Sequence, residues 1–276
     1  VDELTVRGVP DPNGTNPNSV YNANMGSNAR GGISFTSGNT AGSKYAAKTN
    51  MGDKPVNYVS WWDAARVANW LQNGQGTGST ETGAYTLNNA TSGPAPAVNS
   101  GATYYIPAEG QWYKAAYYKG SGTNAGYWDY ATQSDTAPTA VTADSSGIGS
   151  AGSTGNFANY NRGADWNGQD GNVTTVGTNG GPSAYGAVDM GGNVWEWNDL
   201  TGAAGSSRGL RGGYWSADTL SLSSSSRSTN VPTWENFNNG FRLASPVPVP
   251  EPSTWVMGLA GIACASWGAY RRRRAR

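Results

Sequence analysis

YGAVDMGGNVWEWND, residues 185–199, is the stretch from which the rest of the chain can be ordered. Gly191 and Gly192 mark a tight turn, because glycine enters left-handed backbone at no steric cost. Beyond them Val-Trp-Glu-Trp-Asn alternates with the period of a strand that has one buried face. Trp195 and Trp197 share that face and belong in a core. Glu196 points the other way, and Asp189 lies just ahead of the glycines. Upstream, Ser60 with Asp63 three residues later has the pattern of a capping box. A helix should follow, with Ala64, Val67, Trp70 and Leu71 at helical spacing and Gly74 ending it. Residues 104–106 read as a short strand, and Pro107 as the start of a second helix whose apolar face is Trp112, Ala115 and Ala116. Residues 210–215 and 240–244 read as short strands. The segments between are long, polar and rich in Gly, Asn, Ser and Thr. This is the pattern of a loop-rich α+β domain.

Composition says what must hold such a domain together. Leu, Ile, Val and Phe number 9, 4, 17 and 4, which is 34 of 276 residues or 12%. That is below the level that normally supports an aliphatic core. There are also 12 Trp and 15 Tyr, so the core is expected to be aromatic. Lys plus Arg equals Asp plus Glu, 18 against 18, but five Arg lie in the last six residues. Residues 1–250 carry 13 basic and 17 acidic groups, a net of −4, which excludes a basic nucleic-acid-binding body.

The chain has no His and one Cys, Cys264. It therefore has no imidazole base, no Ser–His–Asp triad, no internal disulfide and no thiolate cage. Hard-oxygen chemistry survives. Calcium takes six to eight oxygens, and Asp189 with Glu196 flanks a turn whose carbonyls can point inward. The spacing equally allows Asp189 as a turn former and Glu196 as a strand residue facing a basic partner. Arg211 and Arg242 read as buried partners of carboxylates, with Glu109 a candidate.

Four segments in order resemble the formylglycine-generating enzyme (sulfatase-modifying factor) superfamily. They are PVNYVSWWDAARVANWL (55–71), YYIPAEGQWYKAAYY (104–118), YGAVDMGGNVWEWND (185–199), and LRGGYW with RSTNVP and NGFRLA within 210–244. The resemblance runs from about Tyr21 to Ala244, and the family's usual opening strand and first helix are not visible before Tyr21. It implies a variant of the C-type-lectin-like fold over residues 21–245. It also implies two structural calcium sites. The first maps to Asp189, Gly192, Val194 and Glu196. The second maps to Asn159 with the Tyr160 carbonyl, and Asp170 with the Asn172 carbonyl. In active members two Cys bind copper(I), four and nine residues past the Gly-Gly pair. Here those positions are Ala217 and Leu222, which cannot ligate copper(I). A related branch uses three His with iron, and no His exists here. The expectation is a non-catalytic protein without copper. The alternative is a divergent enzyme of the same family that works through Asp, Glu or Tyr. Tyr214, Trp215 and Trp234 fall where the enzymes' groove is lined, and would offer an aromatic platform to a peptide or a surface polysaccharide.

The C-terminal segment reads VPVPEPSTWVMGLAGIACASWGAYRRRRAR, residues 247–276. Pro-Glu-Pro, an uncharged apolar stretch and a terminal Arg run are similar to the PEP-CTERM sorting signal of bacteria. That resemblance implies export, processing by an exosortase-type protease, and display at the cell surface or in a matrix. Residues 246–252 then form a Pro-rich linker, and 253–276 the sorting segment. The stretch 255–270 would make a helix of about 24 Å, which Trp255, Tyr270 and Arg271 could extend to the bilayer interfaces. A transmembrane helix within 253–270 is therefore expected, with the Arg run cytoplasmic. Residues 1–20 show neither a basic start nor an apolar run, so an export signal is expected to have been removed or to precede Val1.

Overall fold

A capping box starts the principal helix, as the sequence predicts. In the computed structural model, which describes residues 17–246 apart from Ser121, the Ser60 hydroxyl accepts from the Asp63 amide and the Asp63 carboxylate accepts from the Ser60 amide. The main elements are α1 (Asn24–Ser27), β1 (Ile33–Phe35), β2 (Tyr45–Ala47), α2 (Trp61–Gln72), α3 (Glu109–Tyr117), β3 (Thr139–Ala140), β4 (Phe157–Ala158), β5 (Trp195–Asn198), β6 (Arg208–Arg211), α4 (Thr219–Leu222), β7 (Ser228–Asn230) and β8 (Asn239–Phe241). Gly74, at φ +78°, closes α2 with its amide on the Leu71 carbonyl. The helix is buried nearly all round rather than on one face, because loops cover its outer side.

The central sheet has the order β7-β6-β5-β8. β5 runs antiparallel to β6 and parallel to β8, and Glu196 lies opposite Arg211 on one side and Gly240 on the other. Trp197 is fully buried against α2 and donates its indole N–H to the Val59 carbonyl, while Trp195 packs at the edge of the same cluster. Smaller pairs, β1 with β2 and β3 with β4, fasten the loops.

Four sequence expectations change, one being the strand expected over 240–244, which runs over Asn239–Phe241 and leaves Ala244 in an isolated bridge. Residues 104–106 make a single bridge, Tyr105 to Ala244, rather than a strand. Pro107 precedes α3 by two positions; Ala108 is the cap, and the Gln111 side chain accepts its amide. The strand expected over 210–215 ends at Arg211, because Gly212 and Gly213, at φ +94° and +74°, turn the chain away.

The core is aromatic, as its composition requires. Trp61, Trp112, Trp197, Tyr85 and Tyr117 are among its largest fully buried side chains. Each such ring removes roughly 150–250 Å² from water, about 4–6 kcal/mol at 25 cal/mol per Å². A few of them replace many absent leucines. Buried Arg organises the rest. Arg66 reaches Glu81 at 2.8 Å and the Ala90 carbonyl at 2.8 Å, which pins the loop after α2. Arg211 pairs with Glu109 at 2.6 Å, as the sequence suggests, and also donates to the Ser224 and Ser226 carbonyls.

The described residues up to Ala244 belong to one compact unit. No helix among the described residues is long and apolar enough to cross a membrane. The span expected within 253–270, and residues 1–16, lie outside the described residues.

Candidate functional site

The Gly212–Gly213 turn delivers the chain into residues 214–222, which hold Ala217 and Leu222. Tyr214 and Trp215 follow, with rings 6.0 Å apart and edge to face. The Ala217 amide closes a turn onto the Tyr214 carbonyl, and Asp218 then caps α4 by accepting from the Ser221 amide. Ala217 and Leu222 are both buried, at 6% and 1% exposure, and join one apolar cluster with Ala158 and Tyr160. The segment is held from both sides. The amides of Asn161 and Arg162 donate to the Ala217 and Trp215 carbonyls, and the Tyr117 hydroxyl donates to the Leu222 carbonyl. The Ser run after Leu222 is pinned too, through Arg211 and through the Ser224 amide on the Asp129 carbonyl. Beside Leu222 a small cavity, lined also by Tyr130, Pro138 and Ala158, has room for about one water molecule.

The three aromatic residues expected to share a platform do not form one: Tyr214 and Trp215 touch, but Trp215 is buried and Trp234 lies elsewhere. Trp215 is buried, at 4% exposure, with the Arg30 guanidinium 4.3 Å from its ring centroid. Arg30 is held there by the Asp170 and Gly171 carbonyls. Tyr214 is half-buried against Trp215 and Phe237. Trp234 is half-buried on a different cluster, beside α2 and the sheet. Trp215 is thus a core residue under a cation, which its neighbours in sequence do not reveal.

The first expected calcium set is assembled around the Gly191–Gly192 turn. Asp189 has φ +53°, and its two carboxylate oxygens accept from the Gly177 amide at 2.6 Å and the Asn179 side chain at 2.9 Å. Burial raises its pKa, and the N–H groups of Gly177 and Asn179, then Arg242, oppose that rise. Glu196 is 6% exposed; it accepts the Trp112 indole N–H at 2.6 Å and is bidentate with the Arg242 guanidinium. Burial alone would lower the Arg242 pKa, but the Glu196 charge and hydrogen bonds outweigh it and hold it above its usual value. Arg242 Nη2 also lies 3.2 and 3.4 Å from the Val188 and Asp189 carbonyls. A guanidinium therefore occupies the place of positive charge among the Glu196 carboxylate and the Val188 and Asp189 carbonyls. As arranged, this set does not fit a calcium ion. The geometry matches the other reading of the same residues, a turn former and a strand residue facing a basic partner.

The second set divides. Asn159 is fully buried and lies next to Gly192 across a single bridge. Its Nδ2 donates to the Asn172 carbonyl at 2.8 Å, to Thr174 at 3.0 Å and to Asn193 Oδ1 at 3.1 Å. Among the described residues its buried Oδ1 has no hydrogen-bond partner, which is costly unless another group or ion meets it. The Tyr160 carbonyl accepts from the Gly163 amide. Asp170 faces the surface, paired with Arg162 at 2.8 Å. The donor set fits calcium at one point, the free Asn159 oxygen. Releasing Asp170 from Arg162 would cost little, since an exposed ion pair is worth about 0–1 kcal/mol.

What sequence reasoning missed is the network joining the two sets. Asn193 Oδ1 accepts from the Thr174 amide and its Nδ2 donates to the Thr174 carbonyl. Thr174 donates to Asn179, and Asn179 donates to Asp189. Three loops are thereby tied by buried amides. The signal was present as Asn and Thr in turn-rich segments, but nothing in their spacing pairs them.

The sulfatase-modifying factor enzyme 1-like domain family matches residues 18–247. The chain belongs to that family. Its sulfatase-modifying-factor domain is followed at residues 248–274 by the PEP-CTERM protein-sorting motif. Such a motif goes with export and with the membrane or cell surface, and exosortase processes it. Among solved structures, the domain is similar to CarF, at 22% identity and a TM-score of 0.44, covering 74% of this chain and 71% of that one. It is also similar to Treponema denticola variable protein 1, at 21% identity and a TM-score of 0.39, with 71% and 73% covered. PvdO from Pseudomonas aeruginosa is 18% identical, with a TM-score of 0.40 and 78% and 71% covered. No curated protein matches the chain significantly.

Proposed function

We propose that this sulfatase-modifying-factor domain is a non-catalytic binding module, exported and held at the bacterial surface or in its matrix, where it engages a glycan or peptide. The observation that supports this reading is the burial of Ala217 and Leu222 in one apolar cluster, where the family's enzymes place thiolates. Copper(I) needs soft sulfur donors, and methyl groups supply none. The fold suits such a role, because long loops on a fixed sheet can change their surface without losing the core. Copper titration tests the reading. The full chain carrying Cys264→Ser, in detergent, should leave a colorimetric copper(I) chelator fully loaded. Stoichiometric withdrawal of copper by that chain would overturn it.

We further propose that a structural calcium ion is held at the Asn159 oxygen with Asp170 turned inward, and not at Glu196. Chelator should then lower the melting temperature of the wild-type chain, and Asp170→Asn should remove that sensitivity. Its own cost in chelator should be within about 1 kcal/mol, because only an exposed pair is lost. A melting temperature indifferent to chelator and calcium would contradict the assignment.

A further inference from the structure

We propose that the face formed by Tyr113, Tyr118, Tyr127 and Tyr185 is a binding surface for an acidic polysaccharide, with Lys114 as its carboxylate-reading group. The inference deepens the binding-module reading and rests on it. Tyr113 comes from α3 and Tyr118 immediately follows that helix. Tyr127 is brought opposite Tyr118 by a backbone bridge, and the Lys119 amide closes onto the Gly126 carbonyl. Tyr185 arrives from the turn before the Gly-Gly segment. The rings form one continuous series. Tyr113 to Tyr127 is 4.9 Å, Tyr127 to Tyr118 is 5.5 Å, and Tyr118 to Tyr185 is 6.1 Å with the planes only 22° apart. Tyr127 and Tyr185 are 46% and 55% exposed, among the most exposed large apolar side chains described.

The hydroxyls separate these rings from the core tyrosines. Tyr85, Tyr117 and Tyr160 each donate to a protein oxygen. Among the described residues, none of the four surface hydroxyls has a protein partner. Each therefore presents an apolar ring with a free donor and acceptor at its edge. That combination suits a pyranose, whose faces carry C–H groups and whose rim carries hydroxyls. It suits an aliphatic peptide side chain less well, because the rim hydroxyls would be desolvated without return.

Charge selects the class of glycan. Lys114 is exposed, lies 5.5 Å from the Tyr118 ring centroid and forms no ion pair among the described residues. Lys119 stands 4.2 Å over the Trp128 ring, but Asp135 already pairs with it at 3.0 Å. One uncommitted ammonium beside a row of rings is complementary to a carboxylate-bearing sugar, such as a uronic acid, in a body whose net charge is otherwise negative.

Calorimetry with the full chain in detergent tests this, using oligogalacturonates as the probe and cello-oligosaccharides as the neutral control. The acidic oligomer should bind more tightly, and added salt should weaken it. Tyr127→Ala with Tyr185→Ala should reduce affinity about tenfold, since each aromatic contact is worth about 0.5–1.5 kcal/mol. Lys114→Glu should remove the preference over the neutral control. All three positions are exposed, so melting temperatures should not move. Oligogalacturonate binding unchanged in the double variant would overturn this surface while leaving the binding-module reading intact. Equal binding of both oligomers would overturn the acidic class. Binding of neither, or tyrosine-dependent binding of a peptide library alone, would overturn the proposal altogether.

Discussion

Asp199→Ala is expected to cost about 4 kcal/mol of stability, the largest loss from any single side chain described here. Asp199 is 2% exposed; it accepts the Trp61 indole N–H at 2.6 Å and the Tyr85 hydroxyl at 2.7 Å, and lies 3.1 Å from Arg208 Nε. Arg208 is itself 1% exposed, with its guanidinium 4.8 Å from the Trp61 ring centroid. Removing the carboxylate leaves a buried cation and two buried donors without their acceptor, which is the costly way to break such a group. For a domain of this size the melting temperature should fall by roughly 8–16 °C, measurable by calorimetry. A fall below about 4 °C would mean that water reaches Arg208.

The same residue gives the chain an unusual pH dependence. Burial pushes the Asp199 carboxyl up to about 6, against the pull of Tyr85, Arg208 and Trp61. Burial likewise pushes Asp63 up to about 7, with Glu235 acting in the same direction and Ser60 against it. Both values lie above the unfolded value of 3.8, so the native state holds protons that the unfolded chain has released. Their contribution to stability is complete below 3.8 and is lost as pH rises through 6 and 7. Asp53, Asp135, Asp144 and Asp218 are shifted the other way and lose their contribution as pH falls below 3.8. Stability should therefore peak at about pH 5 and decline toward pH 8, a decline that Asp63→Asn should flatten.

Glu196→Ala is the second large effect, at about 3 kcal/mol or roughly 6–12 °C. It strands the Arg242 guanidinium and the Trp112 indole N–H together. Arg242 keeps 28% side-chain exposure, so water recovers part of the loss and the value sits at the lower end for a buried pair. Glu196→Gln retains an acceptor for Trp112 and should cost less. The loss should be the same in calcium and in chelator, because the account gives Glu196 an arginine rather than an ion as its partner. A loss that appears only in calcium would return Glu196 to the metal reading.

Much of this was legible from local pattern. The Ser60 and Asp63 box, the alternation around Trp195 and Trp197, and the Arg211 pairing with Glu109 all follow from residue types at short or matching spacings. The strand end at Gly212 was missed because the apolar residues Tyr214 and Trp215 continue a plausible strand, while two left-handed glycines redirect it. The burial of Trp215 depends on Arg30, and the amide network joins Asn159, Thr174, Asn179 and Asn193 across loops. Such pairings are made by tertiary proximity, which no periodicity carries. The tyrosine face was hidden for the same reason, since Tyr118, Tyr127 and Tyr185 come from three separate loop segments.

The central claim is that this domain retains the family's fold without its redox chemistry. The most direct measurement supplies the purified chain with copper(I), oxygen, a thiol reductant and a synthetic sulfatase-type peptide containing one cysteine, and follows the peptide by mass spectrometry. The account predicts that the cysteine is recovered unchanged, alongside a known formylglycine-generating enzyme that converts it. Catalytic appearance of the aldehyde with this chain, dependent on copper, would contradict the account.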